Sequence, residues 1–203
     1  MRKTFLAGTL LIGYLAVVGS TGRAQGKPAA SSTFQLSSLD LAFTYTTERS
    51  NVTPSGGSNF WAQGGSFDAG FTFFHGFGVA ANLTGDHASN IAPGVNLSLL
   101  HFMGGPRYTI RAGSKHESRI FAEALFGGVH GFDSLFPVST TVSSTANSFS
   151  MQFGGGWDVA ISKHFAIRAF EADYVRTSLP NNGTNIQNFL RLGLGVTYHI
   201  PRH

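Results

Sequence analysis

The chain contains no cysteine, so no disulfide framework, thiolate nucleophile or thiolate metal site is open to it. Charge is scarce too. Only 12% of its 203 residues are Asp, Glu, Lys or Arg, against roughly 25% in ordinary soluble domains. Past the N-terminus there is no apolar run of the ~20 residues that a membrane helix needs. A chain poor in charge, without membrane helices, and yet carrying 26 Gly and 19 Phe must hide apolar surface in another way. A sheet with one face toward lipid is one answer.

A net charge of +4 invites a nucleic-acid reading. Three of the 14 Lys and Arg residues (Arg2, Lys3, Arg23) fall in a segment expected to be removed, leaving 11 against 10 acidic residues. The rest are scattered without a basic patch, so no nucleic-acid partner is expected. The removed segment has a basic start at Arg2 and Lys3, an apolar stretch from Phe5 to Val18, and small residues at Gly22 and Ala24 before a cut ahead of Gln25. These are the parts of a secretory signal peptide, 1–24. Residues 25–37 read as a flexible periplasmic leader, 38–200 as the folded domain, and 201–203 as a C-terminal tail.

What fills the domain is alternation. Phe149, Met151, Phe153, Trp157, Val159 and Ile161 share one parity, and Ser150, Gln152, Gly154, Gly156, Asp158 and Ala160 the other. A period of two marks a β-strand whose faces see different surroundings. After a turn at Ser162–His164, a strand of similar length follows from Phe165 to Thr177. Before this pair come strands around Leu39–Thr46, Trp61–Phe73, Phe77–Thr84, Asn96–Ile110 and Arg119–Val129, and after it one around Leu190–Ile200. Eight strands is the count. The fourth slips parity near Leu99–Leu100, which predicts a bulge there. In the fifth, Phe121 and Leu125 share the face of Glu123.

Connections alternate in length. Long ones are expected at Glu48–Phe60, Gly85–Gly94, Gly131–Asn147 and Thr177–Gln187, and short ones at His75–Gly76, Arg111–Ser118 and Ser162–His164. Long strands with one greasy face, and loops alternately long and short, predict an all-β fold: an eight-stranded antiparallel up-and-down transmembrane β-barrel. A lipocalin-like barrel would need a polar exterior, whereas the second face here is mostly Gly, Ala, Ser and Thr. Strands this long also argue against a β-sandwich. With both termini periplasmic, the long loops face outward.

The small-residue face carries the charges: Asp40, Asp68, Glu123, Asp158, Glu171 and Asp173 with Arg107 and Arg191, while the parity of Arg168 is ambiguous. An eight-stranded barrel is just wide enough for side chains to fill it. These charges are therefore expected to pair across the lumen as a structural polar network, with Glu123 beside Arg107.

From about Ser38 to Ile200 the chain resembles the OmpA-like family of small outer-membrane β-barrel proteins. The segments that carry the resemblance are G-G-P-R-Y at 104–108, G-G-G-W-D at 154–158, A-I-R-A-F-E-A-D-Y-V-R-T at 166–177 and R-L-G-L-G-V-T-Y at 191–198. It implies insertion in the bacterial outer membrane. The expected partners are outer-membrane lipid and lipopolysaccharide, with periplasmic chaperones and the barrel-assembly machinery during biogenesis, and the expected state is a monomer. Larger relatives carry a peptidoglycan-gripping domain, which is not expected here. The ending Y-H-I-P-R-H also lacks the terminal aromatic residue that such barrels often present to the assembly machinery.

Chemistry is harder to find. The eight histidines show no metal-ligand spacing. Thr177-Ser-Leu-Pro-Asn-Asn-Gly is similar to the segment that follows the site of lipid A deacylases, but Arg176 and Thr177 stand where the histidine base of Ser178 would be. A serine without a base is a weak nucleophile. The glycines at 127–128 and 154–156 lack the strand-to-helix setting of a phosphate loop, and the Asn-x-Ser/Thr matches read as ordinary composition. No catalytic, cofactor-binding or metal residue is assigned. The expectation is a non-enzymatic barrel acting in structure or surface interaction through its loops, with a small gated pore as first alternative and a lipid-modifying enzyme as second.

Overall fold

The computed structural model describes residues 38–51, 59–112, 118–138, 141–181 and 183–201. The expected signal peptide, the leader, residues 202–203 of the tail and most of the Arg111–Ser118 turn lie outside these. The strands are β1 (Ser38–Ser50), β2 (Trp61–Phe74), β3 (Phe77–Ala92), β4 (Val95–Ala112), β5 (Ser118–Phe132), β6 (Phe136–Val138), β7 (Thr141–Ser143), β8 (Ala146–Ala160), β9 (Phe165–Thr177) and β10 (Gln187–Pro201). Eight of them close a barrel in the order β1-β10-β9-β8-β5-β4-β3-β2, and β6 and β7 form a separate hairpin. Every neighbouring pair in the barrel is antiparallel. The seam joins β1 to β10 from Ser38 opposite Pro201 to Ser50 opposite Phe189.

Alternation sets the two faces. On the outside, Phe43, Tyr45, Phe77, Phe102, Ile167, Leu194 and Val196 are exposed. Outward rings meet across strands, Phe43 with Phe67 at 4.9 Å and Phe77 with Tyr108 at 4.7 Å between centroids. Leaving one such side chain in water forgoes roughly 1.5–3 kcal/mol, so a belt of them requires a lipid surround. At the β2–β3 turn, His75 and Gly76 both have positive φ (46° and 89°), the two-residue geometry that matches strand twist.

Three sequence expectations are corrected. The loop expected at Gly85–Gly94 is mostly strand: β3 runs to Ala92, β4 starts at Val95, and only Pro93–Gly94 turns. The outward residues there, Gly85, His87 and Ser89, are not apolar, which erased the lipid-face signal although the ladder continues. The Gly131–Asn147 loop is shortened by strand ends and contains the β6–β7 hairpin. The bulge at Leu99–Leu100 is absent, since the β4 register against β3 and β5 is unbroken across it. Leu99 looked out of phase because it is an apolar residue that faces inward. The real irregularity on β9 is Ala169: Trp157 pairs with Phe170 and Asp158 with Arg168, leaving Ala169 as the extra residue.

Candidate functional site

The inner face is the candidate site, and it is layered. Nearest the short turns, Arg119 Nη1 donates to Asp40 Oδ1 (3.1 Å), and the His199 Nδ1 lies 2.5 Å from the same oxygen. In the middle, Arg107 Nε donates to Glu123 Oε2 (2.8 Å) and its Nη2 to Asp68 Oδ2 (2.7 Å). Arg168 donates to Asp158 Oδ1 (2.9 Å) and Glu171 Oε2 (3.0 Å). Nearer the long loops, Arg191 binds Glu48, reaches Asp86 at 3.4 Å, and donates to Gln152 Oε1 at 2.9 Å. Gln152 in turn donates to Glu123 Oε1 (3.1 Å), which links the last two layers.

Phe121 sits at the centre. The guanidinium carbons of Arg107 and Arg168 each lie 4.5 Å from its ring centroid, so one buried ring is shared by two cations, an arrangement that its quadrupole favours. Glycines on other strands leave room for charged groups of the lumen. A Cβ added to Gly70 would stand 2.4 Å from Arg107 Nη1, and one added to Gly154 would stand 2.0 Å from Asp173 Oδ1.

All eight residues expected in the lumen face inward, and seven of them enter this network. Asp173 is buried, but neither of its oxygens accepts a hydrogen bond from a described residue. Arg168, ambiguous in the sequence, also faces inward. The Ala169 bulge lets Arg168 and Glu171, an odd number of positions apart, share one face. Sequence reasoning missed Glu48, Asp86 and Arg119, and left His101 and His199, which share the parity of Arg107 and Arg191, out of the network. Glu48 and Asp86 were assigned to loops, although each lies two positions beyond an inward threonine (Thr46, Thr84), and carrying the parity on would have found both.

Among the described residues the lumen holds eight carboxylates (Asp40, Glu48, Asp68, Asp86, Glu123, Asp158, Glu171, Asp173) and four arginines (Arg107, Arg119, Arg168, Arg191). Two groups have potential ligand atoms within 4.8 Å of one another: Glu48, Asp86 and His101, and Glu123, Glu171 and Asp173. Guanidinium groups already bind both carboxylates of the first group and two of the second. The arrangement is thus suited to cross-bracing the barrel. Ser178 is exposed at the start of the β9–β10 loop, and its backbone N–H donates to the carbonyl of Phe149.

An apolar belt outside, a charged and paired interior and a closed ring of long antiparallel strands define a transmembrane β-barrel. Known structures that it matches include small outer-membrane barrels. Ail, the attachment invasion locus protein of Yersinia pestis, solved with the heparin analogue sucrose octasulfate, aligns with a TM-score of 0.51 at 16% identity over 82% of this chain and all of Ail. Neisserial surface protein A aligns with a TM-score of 0.57 at 13% identity, over 79% of this chain and 96% of that one. At these identities the likeness establishes the fold, that of the bacterial outer-membrane β-barrels, in keeping with the resemblance to OmpA-like barrels. No protein-family profile and no curated protein matches the chain.

Proposed function

We propose that the protein is a non-enzymatic, closed outer-membrane barrel that serves the envelope through its long-loop end. One observation carries this: cross-strand ion pairs brace the lumen in successive layers, and an apolar cluster of Leu97, Leu99, Val129, Phe136, Val175, Leu179 and Phe189 caps it. An open polar pathway has little room beside them. The β3–β4 extension and the β6–β7 hairpin give the loop end a built surface, which favours an interaction role over a pore. The likeness in fold to an attachment invasion locus protein and to a Neisserial surface protein supports the same reading. Reconstituted in a planar bilayer, the protein should show little conductance. Large, steady single-channel currents would replace this reading with a pore.

The long loops face outward and the termini the periplasm in this reading. Arg49 and Arg176 stand on the outer face near the loop end, placed for anionic lipopolysaccharide headgroups. A tag between residues 136 and 143 should be labelled on intact cells, and one at 162–164 should not. Labelling only at 162–164 would reverse the sidedness. Periplasmic chaperones and the assembly machinery would deliver the chain, as a monomer.

A further inference from the structure

Two positions before Arg191 along β10, toward the long loops, the inward side chain is Phe189, and the lumen changes character there from charged to apolar. The apolar cap does not fill its space. A pocket of about 250 Å³ opens among side chains that include Phe60, Leu97, Leu99, Phe136, Leu179 and Phe189. Among the described residues, none that lines it is ionisable. Its two amide side chains are already engaged by their own loop. Gln187 Nε2 donates to the Leu179 carbonyl (2.7 Å), and its Oε1 accepts from Thr177 Oγ1 (2.8 Å). Asn181 Oδ1 accepts from the N–H groups of Gly183 (3.0 Å) and Asn185 (2.8 Å), and its Nδ2 donates to the Ile186 carbonyl at 3.4 Å. Besides these, Ser50 and Ser134 place hydroxyl side chains on the wall among the described residues, and the rest is apolar, so the wall offers a ligand mainly dispersion contacts.

Such a wall selects by chemistry. A charged or strongly polar molecule would lose its hydration with little in exchange. An apolar one gains contacts that water in the same space does not make, and a dry apolar cavity of roughly 150 Å³ already takes up benzene. The charged layer at Arg191, Glu48 and Asp86 lies on the turn side of the pocket, so a ligand there reaches no further along the lumen. We propose that this pocket is a binding site for one small, uncharged hydrocarbon, taken up at the loop end of the barrel. The proposal does not depend on the surface-interaction role or on which side of the membrane the loops face.

The test uses the folded barrel in lipid nanodiscs with leucine methyl groups isotope-labelled, and toluene as the probe. Methyl signals of Leu97, Leu99 and Leu179 should shift saturably as toluene is added. The outward-facing Leu83 and Leu194 report partitioning into the bilayer and should drift without saturating. Leu179→Trp, which fills the pocket from the loop side, should abolish the saturable shifts at Leu97 and Leu99, and Leu99→Phe is a second filling variant should the first fail to fold. Identical behaviour of the two leucine sets, or saturable shifts that survive filling in a folded variant, would overturn the proposal. Cross-peaks from lipid acyl protons to the pocket methyls before any addition would also overturn it, in favour of a lipid tail.

Discussion

Among the lumen carboxylates, Glu123 and Asp173 are equally hidden from water but differ in their neighbours. Glu123 accepts from Arg107 on one oxygen and from Gln152 on the other. Asp173 accepts from no described residue and has the carboxylates of Glu123 and Glu171 within 4.8 Å. A buried charge contributes only when paired and hydrogen-bonded, and is costly otherwise. Neutralising the two should therefore have opposite results. Glu123→Gln weakens the hold on Arg107, and the loss is expected toward the lower side of the roughly 3–5 kcal/mol for breaking a buried pair, because Asp68 still binds that arginine. Asp173→Asn removes one of three crowded negative charges and supplies an N–H to a neighbouring carboxylate, so it should leave stability unchanged or raise it. Urea midpoints of folding into lipid vesicles give the comparison. A larger loss for Asp173→Asn than for Glu123→Gln would mean that the charge on Asp173 is required.

At the scale of the element, β9 shows what was legible in the sequence and what was not. Its outward residues Tyr174 and Phe170 and inward residues Asp173 and Glu171 could be read from parity, as could most of the barrel. Parity alone could not place Arg168, because one inserted residue, Ala169, reverses the sense of everything before it. Elsewhere the pattern misled where an inward residue is apolar, as with Leu99 in the cap, although Phe121 in the cation layer was legible on the face of Glu123. It also vanished where an outward face leaves lipid, as along Gly85–Ser89. The sign of a residue's hydropathy reports its solvent only when one face is uniformly polar, and this lumen is not. If Ala169 sets the register, deleting it forces Arg168 either outward into lipid, at roughly 2–4 kcal/mol near the bilayer midplane, or Phe170 inward. Either way Asp158 or Glu171 loses its partner. The deletion should sharply reduce the folded fraction, while Ala169→Ser, which keeps the residue count, should fold nearly as well as the parent. A deletion variant with an unchanged urea midpoint would show that the bulge does not position Arg168.

For the whole molecule, the deciding feature is closure. Because β1 pairs along its length with β10, no barrel strand has a free edge from which unravelling could start. Loss of any one strand breaks two ladders and exposes the ion pairs that the strand contributes to the lumen. Such a barrel should resist detergent until heated, and the folded form should migrate differently on a denaturing gel before and after boiling. The connectivity adds a sharper expectation. β5 pairs directly with β8, and the β6–β7 hairpin stands outside the ring. A protease site placed between residues 138 and 141 can therefore be cut without opening the barrel. The cut protein should still run as a single folded species before boiling and separate into two fragments afterward. It keeps every barrel ladder, so the difference isolates closure from chain continuity. Two fragments in the unboiled lane would show that the ring depends on the hairpin connection, and a position unaffected by boiling in the uncut protein would remove the closed barrel itself.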